Sequence, residues 1–201
     1  MNKPFTLYSA IWNDQYPLSE FLPNARLAVA STPDDLAGPG ILIVHGGEDI
    51  SPDLYQKPRS RRTGAGKPSR RDLIEKELIL SAIKKNIPVF GICRGAQLMC
   101  ALAGGYLIQD VTNHSGSHTV ATSDGQILNV NSIHHQMMAP WKVDHELLAW
   151  TESPRSAHYD DGGEMVSVPC EPEAVWFPQM GMAIQWHPEM MASDSKASLL
   201  S

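Results

Sequence analysis

Cys93 stands between two glycines in Gly91-Ile92-Cys93-Arg94-Gly95. An apolar run, Pro88 to Ile92, precedes it, and a helix-like pattern follows, with Leu98, Met99, Leu102 and Ala103 on one side. A chain that doubles back from strand to helix at a strained residue needs small neighbours, and Gly-x-Cys-x-Gly is the spacing of a nucleophile elbow. At the start of a helix the dipole favours thiolate and lowers a cysteine's pKa. The usual fate of an unpaired cysteine is to be a small buried hydrophobe. Two glycines at these offsets, at a strand-to-helix junction, favour the nucleophile. The rest of the chain must then supply a base, an orienting carboxylate and donors for an oxyanion.

Gln185-Trp186-His187-Pro188-Glu189 follows the last apolar run. Residues two apart on an extended chain point the same way. Glu189 can therefore accept from one imidazole nitrogen of His187 and leave the other facing a thiolate. Gly46-Gly47 ends another apolar run, and glycine lets backbone N–H groups approach a bound carbonyl. With the N–H of Arg94, just after the cysteine, Gly47 is a candidate oxyanion donor. These residues define a cysteine acyl-transfer enzyme. No metal or other cofactor is expected. His134 and His135 are adjacent, so they point apart, and no third ligand stands at suitable spacing. Gly64–Ser69 lacks the first glycine of a phosphate loop, where Arg61 stands, and has Pro68 after the lysine.

The elements that must hold these residues follow from periodicity. Short apolar stretches at Phe5–Ala10, Arg26–Ser31 and Ile87–Ile92 read as strands, and Gly40–His45 reads as a strand buried on both faces, which implies a parallel sheet. Arg71–Asn86 is an amphipathic helix with Leu73, Ile74, Glu77, Leu78, Ala82 and Ile83 at helical spacing. Arg94–Ala103 is a second, closed by Gly104-Gly105, and Tyr106–Ile108 can be a strand. Asp14–Leu22 reads as a short helix, Thr32-Pro-Asp-Asp as a turn with cap chemistry, and Met190–Ser201 as a terminal helix or tail. From His118 the pattern changes to short strands separated by turns: His118–Ala121, Gln126–Val130, Leu147–Thr151, Met165–Val168, Ala174–Phe177 and Met182–Gln185. The fold class is α/β: a doubly wound, mostly parallel sheet extended by an antiparallel region in the second half.

At 201 residues the chain reads as one domain, 1–201, with 42% hydrophobic and 19% charged residues, ordinary for a soluble protein. No run approaches the roughly 18 apolar residues of a membrane span. The first residues read as a strand, not a signal peptide. Three cysteines without a CxxC pair point to a reducing, cytoplasmic setting. The net charge of −6 hides an asymmetry, because Lys57–Arg71 holds seven of the sixteen basic residues and no acidic one. That loop is a solvated surface or a site for an anion or acidic partner. It has no interleaved aromatics, so nucleic acid is not expected.

These segments carry a resemblance. The chain resembles the class I glutamine amidotransferase superfamily, and within it the γ-glutamyl-γ-aminobutyrate hydrolases, the peptidase C26 family. The matching stretches are Gly46–Tyr55, Arg71–Glu75, Gly91–Gln97, Gly104–Asp110, Asn131–Gln136 and Gln185–Glu189, in family order over nearly the whole chain. Departures are His45, where the family often has proline, and shorter segments before Gly40, between Asp110 and His118 and at the C-terminus. The resemblance implies a flavodoxin-like domain with a Cys93–His187–Glu189 triad and an oxyanion hole from Gly47 and Arg94. It implies a glutamyl pocket lined by Gly46, Gln97, Asn131, Ser132, Ile133, His134, His135 and Gln136. The implied reaction is hydrolysis of the side-chain amide of glutamine or of a γ-glutamyl amine through a γ-glutamyl thioester. The alternative is a glutaminase subunit that feeds ammonia to a separate synthetase, with Lys57–Arg71 as docking surface; a homo-oligomer and a non-catalytic binding module stand as further readings.

Overall fold

A computed structural model of the chain describes residues 5–10 and 25–191; the helix expected at Asp14–Leu22 and the tail beyond Met191 lie outside them. The architecture is α/β as expected, built on a nine-stranded sheet. Its parallel half comprises β1 (Thr6–Ser9), β2 (Arg26–Val29), β3 (Gly40–Val44), β4 (Val89–Ile92) and β14 (Gly181–Ile184), in the order β2-β1-β3-β4-β14. Antiparallel strands β13 (Pro172–Phe177), β10 (Glu146–Thr151), β7 (Ser115–Thr122) and β8 (Ile127–Ile133) continue it beyond β14 in that order. Two satellite ribbons complete the strands. One pairs β5 (Tyr106–Ile108) with β9 (Met137–Ala139); the other joins β6 (Asp110–Val111), β11 (Tyr159–Asp161) and β12 (Glu164–Met165).

Both described α-helices, α1 (Arg70–Lys84) and α2 (Arg94–Leu102), pack on one face of the sheet. Leu42 and Val44 of β3, Val89 of β4 and Ala183 of β14 meet Leu78, Ile79, Leu98 and Met99 there, while Ile43, Ile92 and Ile184 serve the opposite face. The strict alternation is the period-two rule of a strand buried on both sides. Helix α1 starts at a capping box in which the Asp72 amide donates to Ser69 Oγ and the Ser69 amide to Asp72 Oδ2.

Three expectations change. On α1, Leu73 is exposed, and the buried face carries Asp72 and Glu75 beside Leu78, Ile79 and Ala82, because that face meets an arginine as well as apolar side chains. The strand expected at Met165–Val168 shrinks to the two residues of β12. Tyr106–Ile108 is a strand, but pairs only with β9, outside the large sheet.

Candidate active site

Sheet topology assembles the site. Strands β3, β4 and β14 are parallel neighbours, with Val44 opposite Gly91 and Ile92 opposite Ile184. The residues that follow their C-terminal ends therefore come together: Gly46-Gly47 after β3, Cys93 after β4 and His187 after β14. Ligand sites of open α/β sheets form at such strand ends.

Cys93 has φ +50 and ψ −106, a left-handed backbone that an L-residue adopts at a cost of about 1–3 kcal/mol. Its surroundings over-determine it. The Cys93 amide donates to the Ile184 carbonyl at 2.7 Å, and its carbonyl accepts from the Gln97 amide at 3.0 Å, joining β14 to the first turn of α2. The flanking glycines are sterically required. A Cβ on Gly95 would lie 2.0 Å from the Val44 carbonyl oxygen, and one on Gly91 2.6 Å from Met99 Sδ. The elbow thus lets α2 lie directly against β3 and β4.

His187 and Glu189 are arranged as the spacing predicts: Nδ1 lies 2.7 Å from Glu189 Oε1. Burial draws the His187 pKa down, but hydrogen bonds with Cys93 and Glu189 and the charges of both outweigh it and raise it to about 10. The ring thus stays protonated across the neutral range, between a sulfur and a carboxylate. Asn131 grips the backbone beneath it, donating from Nδ2 to the His187 carbonyl and accepting at Oδ1 from its amide, both at 2.8 Å. Cys93 and His187 are only 5% and 6% exposed.

The Gly46-Gly47 turn fits against both catalytic candidates and an ion-pair network. A Cβ on Gly46 would lie 2.5 Å from His187 Cε1, and one on Gly47, where φ is +153, 2.2 Å from Arg71 Nη1. Arg71 Nη2 donates to the His45 and Gly46 carbonyls at 3.0 and 2.9 Å, and its Nε donates to Glu75 at 2.9 Å. Glu75 also binds Arg94, which binds Asp72 as well. The Arg94 side chain is thus tied to α1 within the core, while its N–H is one of the first-turn donors of α2 that have no partner within the helix. The His45 ring, where the family often has proline, is buried with Nε2 2.9 Å from Ser9 Oγ; burial pushes its pKa down to about 4, against the charge of Glu189.

The Asn131–Gln136 stretch divides by alternation. His134 points inward and His135 outward, as adjacent residues should. His135 lies 3.0 Å from Asp49 and 3.4 Å from Asp110, and its pKa is raised, chiefly by the Asp49 hydrogen bond. Gln97 Nε2 donates to the Gln136 carbonyl, and Gln136 Nε2 to Thr63 Oγ1. The Ser132 hydroxyl is turned to the His114 carbonyl, and Ile133 is 62% exposed. The basic loop is anchored: Lys57 pairs with Asp161 and Arg62 with Asp110, while buried Gln109 accepts from the Ser60 amide and the Thr63 hydroxyl. Beside Gly47 and Arg94 opens a cleft of about 940 Å³ rimmed by Asp49, Gly66, Lys67 and Arg70.

Sequence reasoning missed a second cluster. His114, His118 and Glu173 are buried with ligating atoms within 4.8 Å of one another. The His-x-x-x-His spacing was the available signal, but Glu173 lies 55 residues beyond His118.

The fold is that of class I glutamine amidotransferases. A glutamine amidotransferase from Thermotoga maritima superposes with a TM-score of 0.66 over 94% of this chain and 77% of that one, at 16% identity. The peptidase C26 family model matches residues 34–189, and the chain belongs to that family. It is 31% identical to protein NtpR of Enterococcus hirae over 77% of this chain and 68% of that protein. It is 27% identical to the gamma-glutamyl-gamma-aminobutyrate hydrolase of Escherichia coli O157:H7 over 77% of this chain and 65% of that protein. The chain spans 68%, 65% and 51% of the length of three curated relatives it matches. No helix among the described residues is long and apolar enough to cross a membrane.

Proposed function

We propose that this protein hydrolyses the γ-glutamyl amide bond of glutamine or of a γ-glutamyl amine, with Cys93 as nucleophile, His187 as acid and base, and Glu189 as its orienting carboxylate. The observation that carries the reading is the strained Cys93 at the end of β4, beside the end of parallel β14 from which His187 follows with its Nδ1 fixed by Glu189. The family's hydrolase relative supports the substrate class.

The thiolate attacks the amide carbon and the carbonyl electrons move to oxygen, where the N–H groups of Gly47 and Arg94 stabilise the oxyanion. His187 passes its proton to the departing nitrogen, so ammonia or an amine leaves and a γ-glutamyl thioester stays on Cys93. Neutral His187 then takes a proton from water, whose oxygen attacks the thioester, and glutamate is released with Cys93 restored. Gln97, Gly46 and the Asn131–Gln136 segment wall the glutamyl side, Asn131 through the backbone of His187.

The test is release of glutamate from glutamine and from a panel of γ-glutamyl amines. Turnover of at least one, lost in Cys93→Ala with the circular dichroism spectrum kept, supports the reading. Release from none, or turnover that survives Cys93→Ala, overturns it.

A further inference from the structure

At the Asn131–Gln136 segment, three imidazoles and two carboxylates converge in the interior, and none of them takes part in the proton or acyl transfers above. His114 and His134 are cross-strand neighbours at the end of the β7–β8 pair, where the His134 amide donates to the His114 carbonyl, and their ring centroids are 4.7 Å apart. His118 lies on β7 and Glu173 on β13. The side chains of His114, His118, His134 and Glu173 are at most 2% exposed. Among the described residues no lysine or arginine pairs with Glu171 or Glu173, and the Arg155 guanidinium turns instead to the Asn113 carbonyl. Buried carboxylates are otherwise paired or bound to a metal.

We infer that His114, His118, His134 and Glu173 form a zinc site. The donor atoms of His114, His118 and Glu173 lie within 4.8 Å of one another, and His134 joins them from the side of Glu173. Glu173 Oε1 lies 3.0 Å from His118 Nε2, 3.5 Å from His114 Nδ1 and 3.9 Å from His134 Nε2. Ligand atoms about 2.0–2.2 Å from a tetrahedral zinc stand roughly 3.3 Å from one another. Outer groups stand beside two of the three rings, while His118 Nδ1 has none. His134 Nδ1 faces the Gln136 carbonyl at 3.1 Å; a carbonyl only accepts, so the neutral ring carries its proton there and keeps a lone pair on Nε2, directed at a carboxylate oxygen. Two facing acceptors need a cation or a proton between them, and His134 Nε2 and Glu173 Oε2 have no hydrogen-bond partner. His114 Nε2, the nitrogen turned away from Glu173, lies 3.4 Å from Glu171. Glu171 is itself fixed by the Arg155 and Ser156 amides and the Thr151 hydroxyl, giving the carboxylate–histidine–metal arrangement that orients a ligand. Three nitrogens and one carboxylate suit zinc better than magnesium or calcium, which prefer oxygen. Such an ion would clamp β7, β13 and the segment whose Gln136 carbonyl holds Gln97.

The test uses the full chain carrying Cys93→Ala, so that the Cys93–His187 pair cannot bind the metal as thiolate. Protein produced with zinc and dialysed is assayed by mass spectrometry for metal, and metal-free protein is titrated with cobalt and followed by visible absorption. One zinc per chain, a tetrahedral cobalt spectrum and a higher Tm with zinc are expected. Glu171→Gln should weaken zinc affinity by about 10–100-fold, and His118→Asn should remove the cobalt spectrum. Absence of stoichiometric metal in the Cys93→Ala chain, or equal affinity in both further variants, overturns the proposal. Because the wild-type ligand set is measured directly, a variant that fails to fold does not decide the matter.

Discussion

A Cβ on Gly46 would come within 2.5 Å of His187 Cε1, so the turn after β3 and the candidate base are in contact. Any side chain there must push the ring aside or move the turn. Gly46→Ala should lower kcat about 100-fold, the scale of a 1 Å misplacement at a reacting centre, while the protein stays folded. Steady-state kinetics with circular dichroism checks it, and unchanged kcat would mean that the ring is not held from this side.

Asn131 holds the His187 backbone from the other side, donating to its carbonyl and accepting from its amide. Asn131→Ala should reduce kcat more than it raises KM, because the ring loses its position before the substrate loses a contact. A rise in KM alone would assign Asn131 to substrate binding directly.

Glu75 is fully buried and joins Arg94 to Arg71, which in turn holds the Gly46-Gly47 turn. Removing one partner of a buried pair leaves an uncompensated charge and costs about 3–5 kcal/mol. Glu75→Ala should therefore destabilise by that amount in urea unfolding and also slow turnover. A loss below about 1 kcal/mol would be the scale of an exposed pair and would show that the network carries no such load.

The His187 ring should titrate near pH 10 by NMR, against 6.5 for a free histidine. The sign follows: below 6.5 the ring is protonated folded and unfolded, and its pairing stabilises fully. From 6.5 upward the unfolded chain sheds the proton first, so this contribution falls and is gone once pH passes the folded value. Activity should fall on the same alkaline limb, since the departing nitrogen needs that proton. Cys93→Ala removes one raising cause and should move the ring's titration to lower pH; no movement would separate His187 from Cys93.

Much of this was legible in the sequence because it is local. The runs Gly40–His45 and Ile87–Ile92, the elbow and the His187–Glu189 spacing each declare themselves within a few residues. What escaped was settled by distant partners. Strands β6, β9 and β11 have two or three residues each, and pairings such as Asp110 with Asp160 and Ile108 with Met137 define them. Helix α1 hides Asp72 and Glu75 because Arg94, on another helix, compensates them, which hydrophobic periodicity cannot register. The cluster around Glu173 is not legible in sequence spacing because the partners that His134 faces come from β7 and β13.

The most direct measurement is the intact mass of protein quenched in acid during turnover of a γ-glutamyl substrate. The account predicts a γ-glutamyl adduct that maps to Cys93, is absent in Cys93→Ala and disappears as substrate is exhausted. Steady turnover with no adduct on Cys93, in a chain whose Cys93→Ala variant remains active, would contradict it.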